Sequence, residues 1–171
     1  MDLSKLSSGK NVPEEINVVI EIPQGSSVKY EIDKETGMLF ADRFLYTSMS
    51  YPFNYGYVPN TLDGDGDAID VLVLSSQVVH PGTVLPARPI GMLEMEDEEG
   101  IDTKVIAVPT KKIDPFFAYI ENIEDLSDAY KNKIKHFFDS YKQLEPGKWV
   151  KTKDFLSKEK AMEAIQKSIK S

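Results

Sequence analysis

Short apolar segments rich in β-branched residues, separated by glycine and proline, fill the first two thirds of this 171-residue chain. Helical spacing of apolar residues begins only near residue 127. Because strands come first and helices follow, the sequence predicts an α+β fold in which a small antiparallel sheet or barrel is covered by helices. A turn at residues 34–37 joins two strands as a hairpin, and Pro86, Pro89 and Pro109 predict strand ends. The predicted strands are residues 15–22, 28–32, 38–45, 71–74, 90–95 and 104–108.

Two amphipathic helices are predicted in the last third of the chain. Ser127 and Ser157 are typical N-cap residues, and each precedes apolar residues spaced three or four apart. Proline and glycine at residues 146–147 end the first of these runs. The side chains expected to face the core are Tyr130, Ile134, Phe137, Tyr141 and Leu144 in the first helix and Met162, Ile165 and Ile169 in the second.

Net charge and composition limit the classes of partner and compartment. The 28 acidic and 20 basic residues give a formal net charge of −8, which opposes binding to the phosphate backbone of nucleic acid. The chain has no cysteine, which excludes disulfides and zinc–thiolate sites and fits a reducing compartment. Residues 1–12 lack an apolar signal core, and no apolar run reaches the roughly 18 residues of a membrane span. We therefore expect one cytoplasmic domain, residues 1–171, without a membrane partner.

The most informative segment carries four aspartates within eight residues, Asp63, Asp65, Asp67 and Asp70. Carboxylates this close repel one another and raise each other's pKa unless hard divalent cations compensate. Glycine between the first three aspartates lets the backbone curl so that alternate side chains converge. The segment therefore predicts a metal-binding loop rather than a solvated acidic turn.

A calcium-binding EF-hand loop is the main alternative for this segment, because its first, third and fifth positions would be Asp63, Asp65 and Asp67. The position that requires glycine holds Ala68, and the position of the bidentate glutamate holds Leu74. The spacing therefore excludes an EF-hand.

Charged and phenolic residues elsewhere in the chain can supply the rest of a phosphate site. Asp102 and Lys104 share one face of a strand that leaves an acidic hairpin tip, Lys29 and Glu31 share a face of another strand, and Arg43 lies among apolar neighbours. Each of them also has a structural explanation, such as an ion pair or core packing. The remaining candidates are Asp97 in the acidic tip, Tyr51 and Tyr55 around a Pro-Phe-Asn turn, and Tyr141 and Lys142 at the end of the first helix.

Together these motifs resemble those of the soluble family I inorganic pyrophosphatases of the compact bacterial type, and the resemblance covers nearly the whole chain. The family signature has proline or glutamate where Ala68 stands. This difference removes no metal ligand and should loosen the loop only slightly. The motifs that carry the resemblance are residues 21–23, 29–31, 42–44, 51–57, 65–71, 136–138 and 141–142, with Asp97, Asp102 and Lys104.

The resemblance implies a Mg²⁺-dependent enzyme that hydrolyses inorganic pyrophosphate to two phosphates and assembles as a homohexamer. It also implies a five-stranded antiparallel barrel of the oligonucleotide-binding (OB) type flanked by two α-helices. Barrels of this type often bind nucleic acid, so the fold alone does not decide the function.

The resemblance further implies a role for each candidate residue. Asp67 would be the general base, and Glu31 and Tyr51 would support the residues that contact the substrate. The implied metal ligands are Asp65, Asp70, Asp97, Asp102 and Glu21. The implied substrate-binding residues are Lys29, Arg43, Tyr55, Lys104, Tyr141 and Lys142.

The charges of these residues predict a site that needs several cations. Seven carboxylates against four basic side chains leave a charge of −3, and pyrophosphate would bring the total to about −6 to −7. About three or four divalent cations would balance that charge. Such ions would also lower the pKa of a water molecule enough for it to attack phosphorus without a covalent intermediate. Neither His80 nor His136 forms a Ser-His arrangement, and we expect both to be structural.

Two other functions stay open at the level of sequence. A non-catalytic OB-type domain could bind nucleic acid or another polyanion and hold a structural metal, but the net charge of −8 and the lack of a basic, aromatic-rich strand face oppose it. A broader phosphohydrolase could act on nucleotides, but no platform for a base stands out.

Overall fold

A computed structural model of the chain describes residues 3–170; Met1, Asp2 and Ser171, at the ends of the predicted domain, lie outside the described residues. Within that range the chain forms eight strands, two α-helices and three short 3₁₀ helices, so the predicted α+β class with two helices is confirmed. The strands are β1 (Ile16–Ile22), β2 (Val28–Ile32), β3 (Leu39–Phe44), β4 (Asn54–Tyr57), β5 (Asp70–Val73), β6 (Val84–Asp97), β7 (Gly100–Pro109) and β8 (Val150–Leu156), and the helices are α1 (Asp128–Ser140) and α2 (Lys158–Ser168).

Six strands form one sheet in the order β1-β4-β5-β7-β6-β8, and β1 also pairs with β6. The pairings therefore return to β1 after passing through β4, β5, β7 and β6. Strands β5 and β7 run parallel, with Val71 opposite Val105, so the prediction of an antiparallel sheet is wrong for this pair. Strand β6 lies between β5 and β7 in sequence and runs antiparallel to β7. The chain therefore reverses its direction twice between β5 and β7, which leaves these two strands parallel.

The hairpin predicted around residues 34–37 is confirmed as the separate two-stranded sheet β2–β3. Its turn closes through the amide of Asp33, which donates to the carbonyl of Met38 at 2.9 Å. The Asp33 carboxylate accepts from the amide of Thr36 at 2.7 Å, as is typical of an Asx turn. This hairpin brings Lys29 and Arg43 opposite each other on neighbouring strands.

Strands β4 and β8 were not predicted. The residues of β4 are all buried, and Gly56 fits there because a Cβ atom would lie 1.9 Å from the carbonyl oxygen of Val19. Strand β8 is rich in lysine and pairs with β6 at the edge of the sheet, where charged residues are common. The expectation that Pro86 and Pro89 end strands is also wrong, since both lie inside β6; Pro89 is beside a break in its register with β7 between Pro89 and Gly91.

Helix α1 starts after the predicted N-cap, Ser127, whose hydroxyl accepts from the amide of Tyr130. It ends at Ser140, before Leu144, whose side chain is 65% exposed, so the prediction that Leu144 faces the core is wrong. Helix α2 likewise follows its predicted N-cap, Ser157. Ile165 is fully buried, whereas Met162 and Ile169 are half-buried.

The apolar core has two large parts, one on each side of the main sheet. One part joins α1 to the sheet through Phe137 and Phe138, and the other joins α2 to it through Ile165. Burial of large apolar side chains is the main favourable contribution to folding, so both helices are held mainly by these contacts. Between residues 3 and 170, neither helix has the length and apolar character needed to cross a membrane.

Candidate active site

A cavity of about 230 Å³ opens where β1, β2 and β4 meet the connection between β4 and β5, residues 58–69, which we call the aspartate loop. Half of the residues predicted for the site line this cavity, although they come from four separate segments of the sequence. They are Glu21, Lys29, Glu31, Tyr55, Asp65, Asp67 and Asp70.

The aspartate loop curls as its glycines predict. The amide of Asp63 donates to the carbonyl of Asp67 at 2.7 Å, and Gly66 adopts a φ of 90°, which favours glycine. The Asp65 carboxylate accepts from the amide of Asp67 at 2.9 Å, so both side chains lie on the cavity side of the turn. Asp63 instead accepts from the amide of Gly64 at 2.8 Å and does not line this cavity.

Lys104 connects two acidic residues of the site. Its ammonium lies 2.6 Å from a carboxylate oxygen of Asp70 and 2.9 Å from one of Asp102. The parallel register of β5 and β7 produces this contact, because Asp70 and Lys104 directly precede the paired residues Val71 and Val105. Burial is the largest single influence and favours the neutral amine, but Asp70, Tyr55 and Asp102 together outweigh it and raise the pKa of Lys104 well above its usual value. Lys104 is therefore a buried, permanently charged cation.

Lys142 likewise pairs with two acidic residues, at the tip of the hairpin between β6 and β7. Its ammonium lies 3.2 Å from Asp97 and 3.3 Å from Glu98. Glu98 also pairs with Lys148 at 3.0 Å. Sequence reasoning missed Glu98, which stands in a run of acidic residues that gives no sign of which one turns toward a lysine.

Arg43 and Lys29 meet on the β2–β3 hairpin around a shared carboxylate, Asp42. The distances are 2.7 Å from the Arg43 guanidinium and 3.2 Å from the Lys29 ammonium, and Lys29 also pairs with Glu31. The Nε atom of Arg43 lies 3.0 Å from Oε1 of Glu145, a residue that is only 9% exposed. Glu145 directly precedes the predicted helix stop at residues 146–147, and its contact with Arg43 was not predicted.

The three predicted tyrosines form one aromatic cluster. The ring centroid of Tyr51 lies 5.5 Å from that of Tyr55 and 6.4 Å from that of Tyr141. The Tyr55 ring also lies 5.8 Å below the Lys104 ammonium. Burial raises the pKa of both Tyr51 and Tyr55 well above the usual value, so their hydroxyls stay protonated and can donate hydrogen bonds.

Glu21 and Asp67 face the cavity in different environments. Burial raises the pKa of Glu21 to about 7, although its carboxylate accepts from the amide of Ile32 at 2.8 Å. A cation beside Glu21 would favour its charged form and release a proton. Asp67 is exposed and pairs at 3.0 Å with Lys34, another residue that sequence reasoning missed.

The side chains around the cavity fit hard divalent cations by their chemistry. The acidic groups offer only carboxylate oxygens, which are the ligands that Mg²⁺ prefers. Across residues 3–170, no three acidic or histidine side chains are grouped closely enough to hold one ion as they stand. Lysine ammonium groups neutralise several of the carboxylates instead, at Asp70, Asp102 and Asp67. Divalent cations would take over part of that neutralisation.

Comparison with known proteins gives one consistent result. A family model described as inorganic pyrophosphatase matches residues 18–171. An inorganic pyrophosphatase from Aquifex pyrophilus is 57% identical over 169 residues, which cover 99% of this chain and 96% of that protein. One from Saccharolobus solfataricus is 58% identical over 165 residues, which cover 96% of each. The crystal structure of inorganic pyrophosphatase from Thermus thermophilus has a TM-score of 0.95 at 42% identity, covering 99% of this chain and 97% of that one.

Proposed function

This chain belongs to the inorganic pyrophosphatase family, and we propose that its cavity hydrolyses inorganic pyrophosphate to two phosphates with Mg²⁺ as the cofactor. The observation that carries the assignment is the contact of Lys104 with Asp70, which lines the cavity, and with Asp102. It places a buried cation, suited to a phosphate oxygen, directly between carboxylates suited to metal ions.

The proposed metal ligands are carboxylates on β1, the aspartate loop, β5 and the hairpin between β6 and β7. Among the residues predicted for the site, seven carboxylates against four basic side chains leave a net charge of −3. With pyrophosphate added, about three or four divalent cations are needed to balance the charge in a partly buried pocket. When bound, these ions lower the pKa of a water molecule so that it can attack phosphorus near neutral pH. The ligands are Asp65, Asp70, Asp97, Asp102 and Glu21.

Asp67 is the proposed general base. Its side chain is 77% exposed, so solvent water reaches its carboxylate, and it lines the cavity from the side of the aspartate loop. One of its oxygens pairs with Lys34. That exposed ion pair is weak, so the carboxylate remains able to accept a proton.

The proposed substrate contacts come from cations and phenols that surround the carboxylates. Lys104 and Lys142 are buried and paired, which holds their ammonium groups in place before substrate arrives. The phenol of Tyr55 can donate to a phosphate oxygen, and Tyr51 supports it from the aromatic cluster. Glu31 holds the ammonium of Lys29. The full set of substrate-binding residues is Lys29, Arg43, Tyr55, Lys104, Tyr141 and Lys142.

The wider organisation of the protein is part of the same proposal. The pairings that return to β1 support a five-stranded barrel of the OB type, although its β5–β7 pair is parallel. The family match over residues 18–171 supports a single domain spanning the chain. By resemblance we propose a cytoplasmic homohexamer. Nucleic acid is not a partner in this proposal, because the net charge of −8 opposes it.

The proposal is tested by phosphate release from pyrophosphate in millimolar Mg²⁺, with parallel samples in chelator and with ATP as substrate. We expect fast release from pyrophosphate, loss of release in chelator and little release from ATP. A folded sample that releases no phosphate would contradict the proposal. Release from ATP at a similar rate would instead favour a broader phosphohydrolase.

A further inference from the structure

A buried threonine closes the base of the aspartate loop. Thr61 is 1% exposed, and its hydroxyl donates to the carbonyl of Val58 at 2.6 Å. The same oxygen accepts from the amide of Ile69 at 3.0 Å. A backbone bond from the amide of Val58 to the carbonyl of Ile69, 3.0 Å long, closes the loop beside it. One hydroxyl thus connects the two ends of a loop of twelve residues, 58–69.

The outer side of the same segment is fixed to the end of α2. The amide of Leu62 donates to the carbonyl of Ser168 at 2.7 Å, and the amide of Lys170 donates to the carbonyl of Asn60 at 3.0 Å. These bonds hold the backbone on both sides of Thr61. They do not reach the end of the loop that enters β5, where Ile69 is bonded through the Thr61 hydroxyl and through the Val58–Ile69 pair.

The loop needs such an anchor because the backbone of its tip can adopt many conformations. Gly64 and Gly66 both stand in the tip, and a Cβ atom at either would meet nothing within 4 Å. Glycine without packing restricts the backbone little. The bonds of Asp63, Asp65 and Asp67 within the tip join these residues to one another, so the position of the tip as a whole depends on how firmly the base is held. Asp70 directly follows Ile69, at the point where the loop enters β5 and pairs with β4.

We propose that Thr61 is a positioning residue that sets the metal affinity of the aspartate loop. The inference rests on the proposed metal-binding role of Asp65 and Asp70. Removal of the hydroxyl leaves the carbonyl of Val58 and the amide of Ile69 each without one buried partner. Both groups then shift toward other partners, and the carboxylates beyond them lose their common orientation.

The test compares Thr61→Val, which keeps the shape and removes the hydroxyl, with Thr61→Ser, which keeps the hydroxyl. Mg²⁺ binding to the substrate-free protein is measured by calorimetry, and the Mg²⁺ concentration for half-maximal phosphate release is measured at saturating pyrophosphate. We expect Thr61→Val to weaken both about tenfold, as is typical when a residue that orients metal ligands is lost. Thr61→Ser should stay within about twofold of the unmodified protein, and kcat of Thr61→Val at saturating Mg²⁺ should change less than its Mg²⁺ dependence.

A matched control separates positioning from a general loss of stability. Ile16→Val removes one buried methylene in β1 and should lower the unfolding temperature while leaving the Mg²⁺ dependence unchanged. The proposal is overturned if Thr61→Val lowers the unfolding temperature in chelator but keeps the Mg²⁺ dependence of the unmodified protein. Should Thr61→Val fail to fold, Thr61→Cys replaces it, because a thiol is a weak donor and acceptor, and the same weakening is expected.

Asp70→Asn in the same assays distinguishes failure of this inference from failure of the proposed function. If Asp70→Asn loses Mg²⁺ binding and Thr61→Val does not, only the positioning role is wrong. If Asp70→Asn binds Mg²⁺ like the unmodified protein, the metal site lies elsewhere and both proposals are overturned.

Discussion

Replacing Lys104 with methionine removes the buried cation at the centre of the proposed site. Its ammonium lies 2.6 Å from Asp70 and 2.9 Å from Asp102, and its side chain is 7% exposed. Removing one partner of a fully buried ion pair typically costs about 3–5 kcal/mol. Asp70 and Asp102 are 30% and 23% exposed, so water can solvate them in part, and we expect a loss of about 2–3 kcal/mol in chelator.

Mg²⁺ should return part of this stability. Divalent cations at the proposed ligands Asp70 and Asp102 would supply the positive charge that Lys104 no longer provides, and a ligand that binds only the folded state stabilises it. The loss for Lys104→Met should therefore shrink by about 1 kcal/mol or more in millimolar Mg²⁺. Phosphate release should still fall about 100-fold, because a cation that meets developing charge on phosphate is missing.

The assay is urea denaturation at one protein concentration, in chelator and in Mg²⁺, with Lys153→Met as the control. Lys153 pairs at 3.2 Å with Glu96, and both side chains are at least 40% exposed, so its loss should change the unfolding free energy by less than about 1 kcal/mol. The reasoning is refuted if Lys104→Met costs no more than Lys153→Met, or if Mg²⁺ leaves the cost unchanged.

Two further predictions concern packing and substrate binding. Gly56→Ala places a Cβ atom 1.9 Å from the carbonyl oxygen of Val19, so β1 and β4 must separate; we expect a loss of about 3 kcal/mol in unfolding free energy, and a urea midpoint equal to that of the unmodified protein would contradict this. Glu145→Gln removes the negative charge 3.0 Å from Arg43 and should raise KM for pyrophosphate about tenfold with little change in Mg²⁺ dependence. An unchanged KM in steady-state phosphate release would show that Glu145 does not orient Arg43.

Local chemistry accounts for the parts of the fold that the sequence predicts. The β2–β3 hairpin follows from its turn residues, and the starts of α1 and α2 follow from the side-chain caps of Ser127 and Ser157. Strand β4 gives no such signal, because Gly56 is unfavourable in an isolated strand and is required only by the close approach of Val19.

The candidate site also has parts that the sequence predicts and parts that it does not. Alternating aspartates and glycines predict that the aspartate loop curls, which it does, but Asp63 does not join Asp65 and Asp67 at the cavity. The contact between Lys104 and Asp70 depends on the parallel register of β5 and β7, a long-range pairing that no local pattern encodes. Lys34, Glu98 and Glu145 were missed for a related reason: each is a charged residue in or beside a turn, and only its partner across the fold sets it apart.

The most direct test of the central claim is a comparison of Asp70→Asn with Asp63→Asn in the phosphate-release assay. Both changes remove one carboxylate charge from the same acidic segment, but Asp70 lines the cavity beside Lys104, whereas Asp63 bonds to the amide of Gly64. We predict that Asp70→Asn lowers kcat by about a thousandfold in millimolar Mg²⁺, with the fold retained. Asp63→Asn should stay within about threefold of the unmodified protein. Full activity of Asp70→Asn, or equal losses in the two variants, would contradict the proposed metal site.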